Sequence, residues 1–209
     1  MRVSIQLNNL GKKYINEWIF RGLTYTINPA DKLVVLGSNG SGKSTLLQTV
    51  ASFMIPTQGE IAWTNDSGKI ADEDIYRRLS MASPYMELIE DFTLTELAEH
   101  QRVFKPFMNN YSAAEVIEVM QLQHASNKYL KNYSSGMRQR VKLGLAILAD
   151  CPVLLLDEPC TNLDAAAMAW YQQLVQQYAM HKTIVVCSNA VKEEYGFCTS
   201  TLEVEKYKP

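Results

Sequence analysis

The sequence predicts an α/β protein with a mostly parallel sheet, an N-terminal antiparallel β part and an inserted helical subdomain, and three observations carry that reading. Residues 37–45, Gly-Ser-Asn-Gly-Ser-Gly-Lys-Ser-Thr, match the phosphate loop G-x-x-x-x-G-K-[ST] between an apolar strand candidate at 33–36 and a helix candidate at 45–53. Far along the chain, Val153-Leu154-Leu155-Leu156 runs into Asp157-Glu158-Pro159, an apolar strand ending in two carboxylates. Between these motifs the strand pattern stops and helix-start signals replace it.

Taken in order, strand patterns stand at 4–7, 23–27, 32–36, 60–63 and 79–82, punctuated by turn signals at Asn28-Pro29 and Asp66-Ser67-Gly68. Thr93-Leu94-Thr95-Glu96 and Ser112-Ala113-Ala114-Glu115 are both capping boxes, in which hydroxyl and carboxylate satisfy each other's backbone donors, so each starts a helix. Ser134 caps a third helix running to about Ala149, and Asp164 caps a fourth running to about Met180. Four consecutive apolar residues at 153–156 suit a strand buried on both faces, as in a parallel sheet. Strands return at 183–188 and 199–206. The chain therefore reads as one domain over 1–209, with 1–84 and 151–209 forming an α/β core lobe and 85–150 a helical lobe.

The phosphate loop has a physical logic. Gly37, Gly40 and Gly42 let the backbone turn tightly, so that N–H groups along Ser38, Asn39, Ser41 and Thr45 converge on one point at a helix N-terminus. Lys43 would reach the β- and γ-phosphates of ATP, and the Ser44 hydroxyl is placed to ligate Mg2+. The carboxylates at 157 and 158 fit the Walker B pattern, at the strand end where open α/β sheets bind ligands. Asp157 would hold the Mg2+ through water and Glu158 would polarise the water that attacks the γ-phosphate. An acidic pair after an apolar run is also an ordinary strand end; the loop upstream favours the functional reading.

Ahead of that strand stands Asn132-Tyr133-Ser134-Ser135-Gly136-Met137-Arg138-Gln139-Arg140. In isolation it is a capped helix start. In its place before Walker B it resembles the L-S-G-G-Q signature of ABC ATPases, with Tyr133, Ser135 and Met137 as departures, and the resemblance extends over nearly the whole chain on a P-loop NTPase core. It implies that Ser134 and Gly136, with Ser135 between them, meet the γ-phosphate of ATP held by a second subunit, so that two chains sandwich two nucleotides. Thr161-Asn162-Leu163-Asp164 is similar to the family's D-loop. Tyr14 matches the aromatic position on which adenine stacks, with Trp18 a nearby competitor and core packing the alternative for either.

Two positions depart from the family pattern. Its loop glutamine, which touches Mg2+ and the attacking water, is replaced by Ser83, and its histidine after the last core strand by Asn189, which cannot carry a proton or a charge. His100, His124 and His181 do not fit that slot and read as solvated helix residues. Hydrolysis is expected to run through Glu158, at a rate that Ser83 and Asn189 put in question.

Lys+Arg 20 against Asp+Glu 22 gives a net charge of −2 with no basic run, so no nucleic-acid partner is expected. The four cysteines lack C-x-x-C spacing, which argues against zinc or a redox motif. No stretch reaches the eighteen or so apolar residues of a membrane span, and the N-terminus lacks a signal peptide's apolar region, so a cytoplasmic chain is expected. The resemblance implies a homodimer or paired ABC subunits on the inner face of a membrane, bound to an integral membrane transporter subunit. The connection at 85–92 is unusually apolar and edged with acids; it reads either as the helical lobe's own core or as a partner surface, and both can hold for different residues. The first functional reading is the ATP-binding and hydrolysing subunit of an ABC transporter. The alternatives are a soluble ABC ATPase of the iron–sulfur assembly type and a slow nucleotide-gated module.

Overall fold

A computed structural model describes residues 2–209. Strands β1 (Val3–Tyr14) and β2 (Glu17–Ile27) form an antiparallel hairpin, and β1 also pairs antiparallel with β4 (Gln58–Asn65), which turns back into the short β5 (Gly68–Lys69). The resulting order is β2-β1-β4-β5. A second sheet, wholly parallel, runs β6-β7-β8-β3-β9, built from β3 (Lys32–Leu36), β6 (Leu79–Ala82), β7 (Val153–Asp157), β8 (Thr183–Ser188) and β9 (Ser200–Glu203).

The parallel sheet divides two cores, and its side-chain alternation assigns each residue to one of them. Val153 and Leu155 of β7, with Val185 and Cys187 of β8, face the antiparallel sheet and helix α1 (Lys43–Val50). Leu154, Leu156, Ile184 and Val186 face the other way, onto helices α4 (Ser135–Leu148) and α5 (Ala165–Tyr178). All five residues of β7 are buried, which accounts for its uninterrupted apolar run.

Between β6 and β7 the chain is helical, with α2 (Leu94–Phe104), α3 (Ala113–Val119) and α4, and short 3-10 turns between them. Both capping boxes form as the sequence predicts: Thr93 and Ser112 each accept from the backbone N–H three residues on, and Glu96 and Glu115 return the bond. These bonds hold both carboxyls below the ordinary glutamate range. A closing helix α6 (Lys192–Tyr195) precedes β9.

Several boundaries differ from the sequence reading. Helix α1 ends at Val50 rather than 53, because Ser52 takes a left-handed φ of 61°. The last strand stops at Glu203 rather than 206; Val204 is buried and opens a 3-10 turn. β1 and β2 extend far beyond 4–7 and 23–27, since bulges between Leu7 and Lys13 disturb the alternation while the pairing continues. His181 lies in the turn between α5 and β8 rather than in a helix. No helix among the described residues is long and apolar enough to cross a membrane.

Candidate functional site

The loop joining β3 to α1 carries residues 37–42, and its last residue requires glycine: Gly42 sits at φ 102°, and a Cβ there would lie 2.4 Å from Ile19 Cγ2. The loop wraps its own lysine. Lys43 Nζ donates to the carbonyls of Gly37 at 2.9 Å and Ser38 at 3.1 Å, and lies 3.7 Å from Glu158 Oε1. Residues 39–45, Ile19, Tyr85 and Glu158 line a cavity of about 420 Å3. Lys43 is buried to 4% exposure while Glu158 is partly open, so the ammonium is held in place and the carboxylate faces the cavity rim.

Asp157 ends β7 beneath this cavity. Burial pushes its carboxyl above the ordinary value; a hydrogen bond from Ser44 opposes that, the charge of Glu158 adds to it, and a bond from Ser83 opposes it again. Ser83 Oγ donates to Asp157 Oδ2 at 3.3 Å, while Asp157 Oδ1 is buried with no protein partner. A lone carboxylate oxygen at the end of a buried strand, beside a serine hydroxyl, is a donor set that fits Mg2+ and its waters. Glu158 follows at φ 42°, with its N–H donated to Cys187 O at 2.9 Å. That strained backbone turns its side chain towards Lys43, and such strain is concentrated at functional sites.

The other expected residues lie elsewhere. Asn189 is exposed just beyond β8. Ser134 caps α4 by accepting from Met137 N at 3.2 Å, and Ser134 and Ser135 are exposed, so the start of α4 is an open helix N-terminus. They are not among the residues that line the phosphate-loop cavity. Gly136 approaches the D-loop-like segment, where an added Cβ would lie 3.1 Å from Asn162 O. Asp164 caps α5 through Ala167 N at 2.7 Å. Tyr14 is 45% exposed at the end of β1, its hydroxyl 3.2 Å from Met54 Sδ. It does not line the cavity, whereas Ile19 does. Trp18 is engaged by Lys13 and Arg21.

Sequence reasoning missed three supports. Lys142 Nζ, from the middle of α4, donates to Ser83 O at 3.3 Å and Pro84 O at 2.7 Å, gripping the backbone where the chain leaves β6. Gln139 Nε2 donates to Pro159 O at 2.9 Å. Glu205 accepts from Ser38 N at 3.0 Å and Ser38 Oγ at 2.5 Å, tying the phosphate loop to the segment after β9. The partners are 167 residues apart in the last case, and only tertiary structure brings them together.

The connection at 85–92 splits as its composition allowed. Leu88 and Phe92 pack on the helical core, while Tyr85, Met86 and Ile89 are exposed. Met86, Ile89, Phe53 and Phe104 line a second, more apolar groove of about 390 Å3 between the sheet and α2.

A family model described as "ABC transporter" matches residues 20–161. The molybdate import ATP-binding protein MolC of Haemophilus influenzae is 29% identical over 99% of this chain and 81% of its own length. The cytochrome c biogenesis ATP-binding export protein CcmA of Agrobacterium fabrum is 31% identical over 89% of this chain and 88% of its own. Among solved structures, the dimeric bacterial ABC transporter cassette MJ0796 superposes with a TM-score of 0.80 at 23% identity, covering 96% of this chain and 95% of that one.

Proposed function

The chain belongs to the ABC transporter family of ATP-binding proteins, and from that premise we propose that it works as one of two ATP-sandwiching cassettes bound to an integral membrane subunit, with Glu158 as general base. As a member of that family it is an ATP-binding and ATP-hydrolysing subunit that works with membrane subunits and dimerises. The finer assignments are ours. The observation that carries them is a buried lysine and a strained glutamate lining one cavity, with the adjoining Asp157 presenting a buried carboxylate oxygen that has no protein partner.

In this reading residues 38–45 bind the phosphates through backbone N–H groups, and Lys43 meets the β- and γ-phosphate oxygens. Ser44 and Asp157 would hold Mg2+, with Ser83 beside them, and the ion would supply charge neutralisation to the bound phosphates. Glu158 accepts the proton of the attacking water. The exposed α4 N-terminus at Ser134, Ser135 and Gly136 completes the site of a second subunit, which agrees with its separation from this chain's own phosphate loop. Asn189 donates to the γ-phosphate without exchanging a proton with it. Tyr14 remains the adenine platform proposed from the sequence, with Ile19 packed below the loop.

The groove with Phe53, Met86, Ile89 and Phe104 is the surface we assign to the membrane subunit, and we take the chain to work on the cytoplasmic face. Relatives named for import and for export match it about equally, which suits a cassette whose membrane partner sets substrate and direction. We take the dimer to be two copies of this chain or this chain with a related cassette.

Glu158→Gln tests the assignment. It should keep Mg-ATP affinity, lower turnover roughly a hundred- to ten-thousand-fold, and leave an ATP-dependent dimer visible by light scattering. Undiminished turnover sinks the role of Glu158; a monomer at saturating ATP and high protein concentration sinks the sandwich.

A further inference from the structure

Glu194, on the short helix α6, is a buried carboxyl outside the nucleotide cavity, 3% exposed. One oxygen, Oε1, accepts the backbone N–H of Cys160 at 3.1 Å; the other, Oε2, accepts the hydroxyl of Ser188 in a short contact. Both partners matter by their neighbours. Cys160 stands two residues after Glu158, and Ser188 stands immediately before Asn189. Its own backbone is fixed as well, since the fully buried Tyr171 hydroxyl donates to Glu194 O at 2.8 Å.

The same short segment is gripped from the opposite side. Gln139, 3% exposed and one helical turn into α4, donates to Pro159 O, the carbonyl of the peptide whose N–H Glu194 receives. The Pro159–Cys160 peptide is therefore clamped at both its oxygen and its nitrogen. Thr161 N closes back onto Glu158 O at 3.1 Å, so the clamp bounds the turn that holds Glu158 at its positive φ. A buried carboxyl is costly unless bonded. A methyl-rich side chain would fill this place between α6 and β8 more cheaply, so packing alone does not explain a glutamate here.

We propose that Glu194 is a positioning residue for ATP hydrolysis: it ties the backbone behind Glu158 to the hydroxyl beside Asn189, so that the two γ-phosphate-facing groups keep a fixed spacing. The proposal rests on Glu158 being the general base. The carboxylate bonds to Cys160 and Ser188 and does not line the nucleotide cavity. Its effect is on the placement of Glu158 and Asn189, and so on the chemical step rather than on ATP capture, which belongs to the phosphate loop.

The test uses the full chain, with steady-state turnover, calorimetric Mg-ATP affinity and thermal unfolding measured for each variant. Glu194→Ala removes both bonds and should lower kcat tenfold or more while the dissociation constant stays within twofold. Glu194→Gln can still accept from Cys160 and bond Ser188, and should restore kcat to within threefold of the parent. In a Glu158→Gln background, where the base is already gone, Glu194→Ala should slow single-turnover hydrolysis by less than twofold further. If Glu194→Ala does not fold, Ser188→Ala cuts one arm alone and should lower kcat at least threefold at unchanged affinity. Parent-like kcat in Glu194→Ala or Ser188→Ala overturns the proposal. So does a loss that persists undiminished in the Glu158→Gln background, or one that appears equally in affinity. Failure of the underlying reading looks different, because Glu158→Gln by itself would then turn over at the parent rate.

Discussion

Lys182 precedes β8, is 1% exposed, and donates through Nζ to Ile147 O at 2.7 Å and Ala149 O at 2.6 Å. These are carbonyls at the end of α4, where a cation also complements the helix dipole. Burial pulls its pKa from the ordinary lysine value of 10.5 to about 8, against the smaller opposing pull of Cys151 and Asp150. Below pH 8 the amine is charged in both folded and unfolded chains, and the folded state carries the full desolvation penalty. Between about 8 and 10.5 the unfolded chain holds a proton that the folded chain has released, so stability rises with pH across that window. Two and a half pH units at about 1.4 kcal/mol each set a ceiling of about 3 kcal/mol. Lys182→Met keeps the length of the side chain but cannot titrate. Urea unfolding of both proteins at pH 7, 8.5 and 9.5 isolates the effect, because all other titrating groups are shared. The stability of the parent relative to the variant should grow by about 2 kcal/mol between pH 7 and 9.5. A difference that stays constant with pH would show that Lys182 titrates at its ordinary value and that the buried amine is not under strain.

Lys43→Ala removes the fixed charge that we propose faces two phosphates, worth about 3 kcal/mol of charge-assisted bonding; calorimetry should find Mg-ATP affinity lost, and an unchanged dissociation constant would overturn the loop assignment. Leu88 packs on the helical core as well as lining the groove, whereas Ile89 is 44% exposed there, so Leu88→Glu should lower the melting temperature of the isolated chain, while Ile89→Glu should leave it intact and weaken co-purification with the membrane subunit. Equal effects of the two substitutions on both readouts would remove the groove from consideration as a docking surface. Ser83→Gln and Asn189→His should each raise kcat without changing ATP affinity, since well-placed donors at developing charge are worth up to about 2.7–4 kcal/mol in other enzymes; equal or lower kcat for both single variants and the double variant means the departures are no brake.

The parts of the site legible in the sequence are those whose chemistry is local. A phosphate-loop motif is eight consecutive residues, a capping box four, and β7 announces itself by an apolar run because both its faces are covered. What escaped is set by distance along the chain. Lys142 meets Ser83 and Pro84, Gln139 meets Pro159, and Glu205 meets Ser38, and none of these long polar side chains differs in type or spacing from a solvated one. Glu193 and Glu194 are neighbours of one type, and nothing in the sequence marks that the first is exposed and the second buried. Boundaries failed where one residue's backbone decides: Ser52 at positive φ ends α1 while the residues beside it still suit a helix.

The helical segment hangs from two neighbouring strands, yet its two attachments are not equivalent. The chain leaves at the top of β6 through Ser83 and Pro84 and returns at the bottom of β7 by way of Cys151 and Pro152, so one strut is anchored at the chemistry and the other at the far rim of the sheet. Lys142 braces the first strut against the axle formed by α4, whose own start faces outward at Ser134. From α4, Lys142 reaches the backbone beside the hydroxyl resting on Asp157 and Gln139 reaches the carbonyl behind Glu158, while the distant mount at Cys151 and Pro152 lies across the sheet from both.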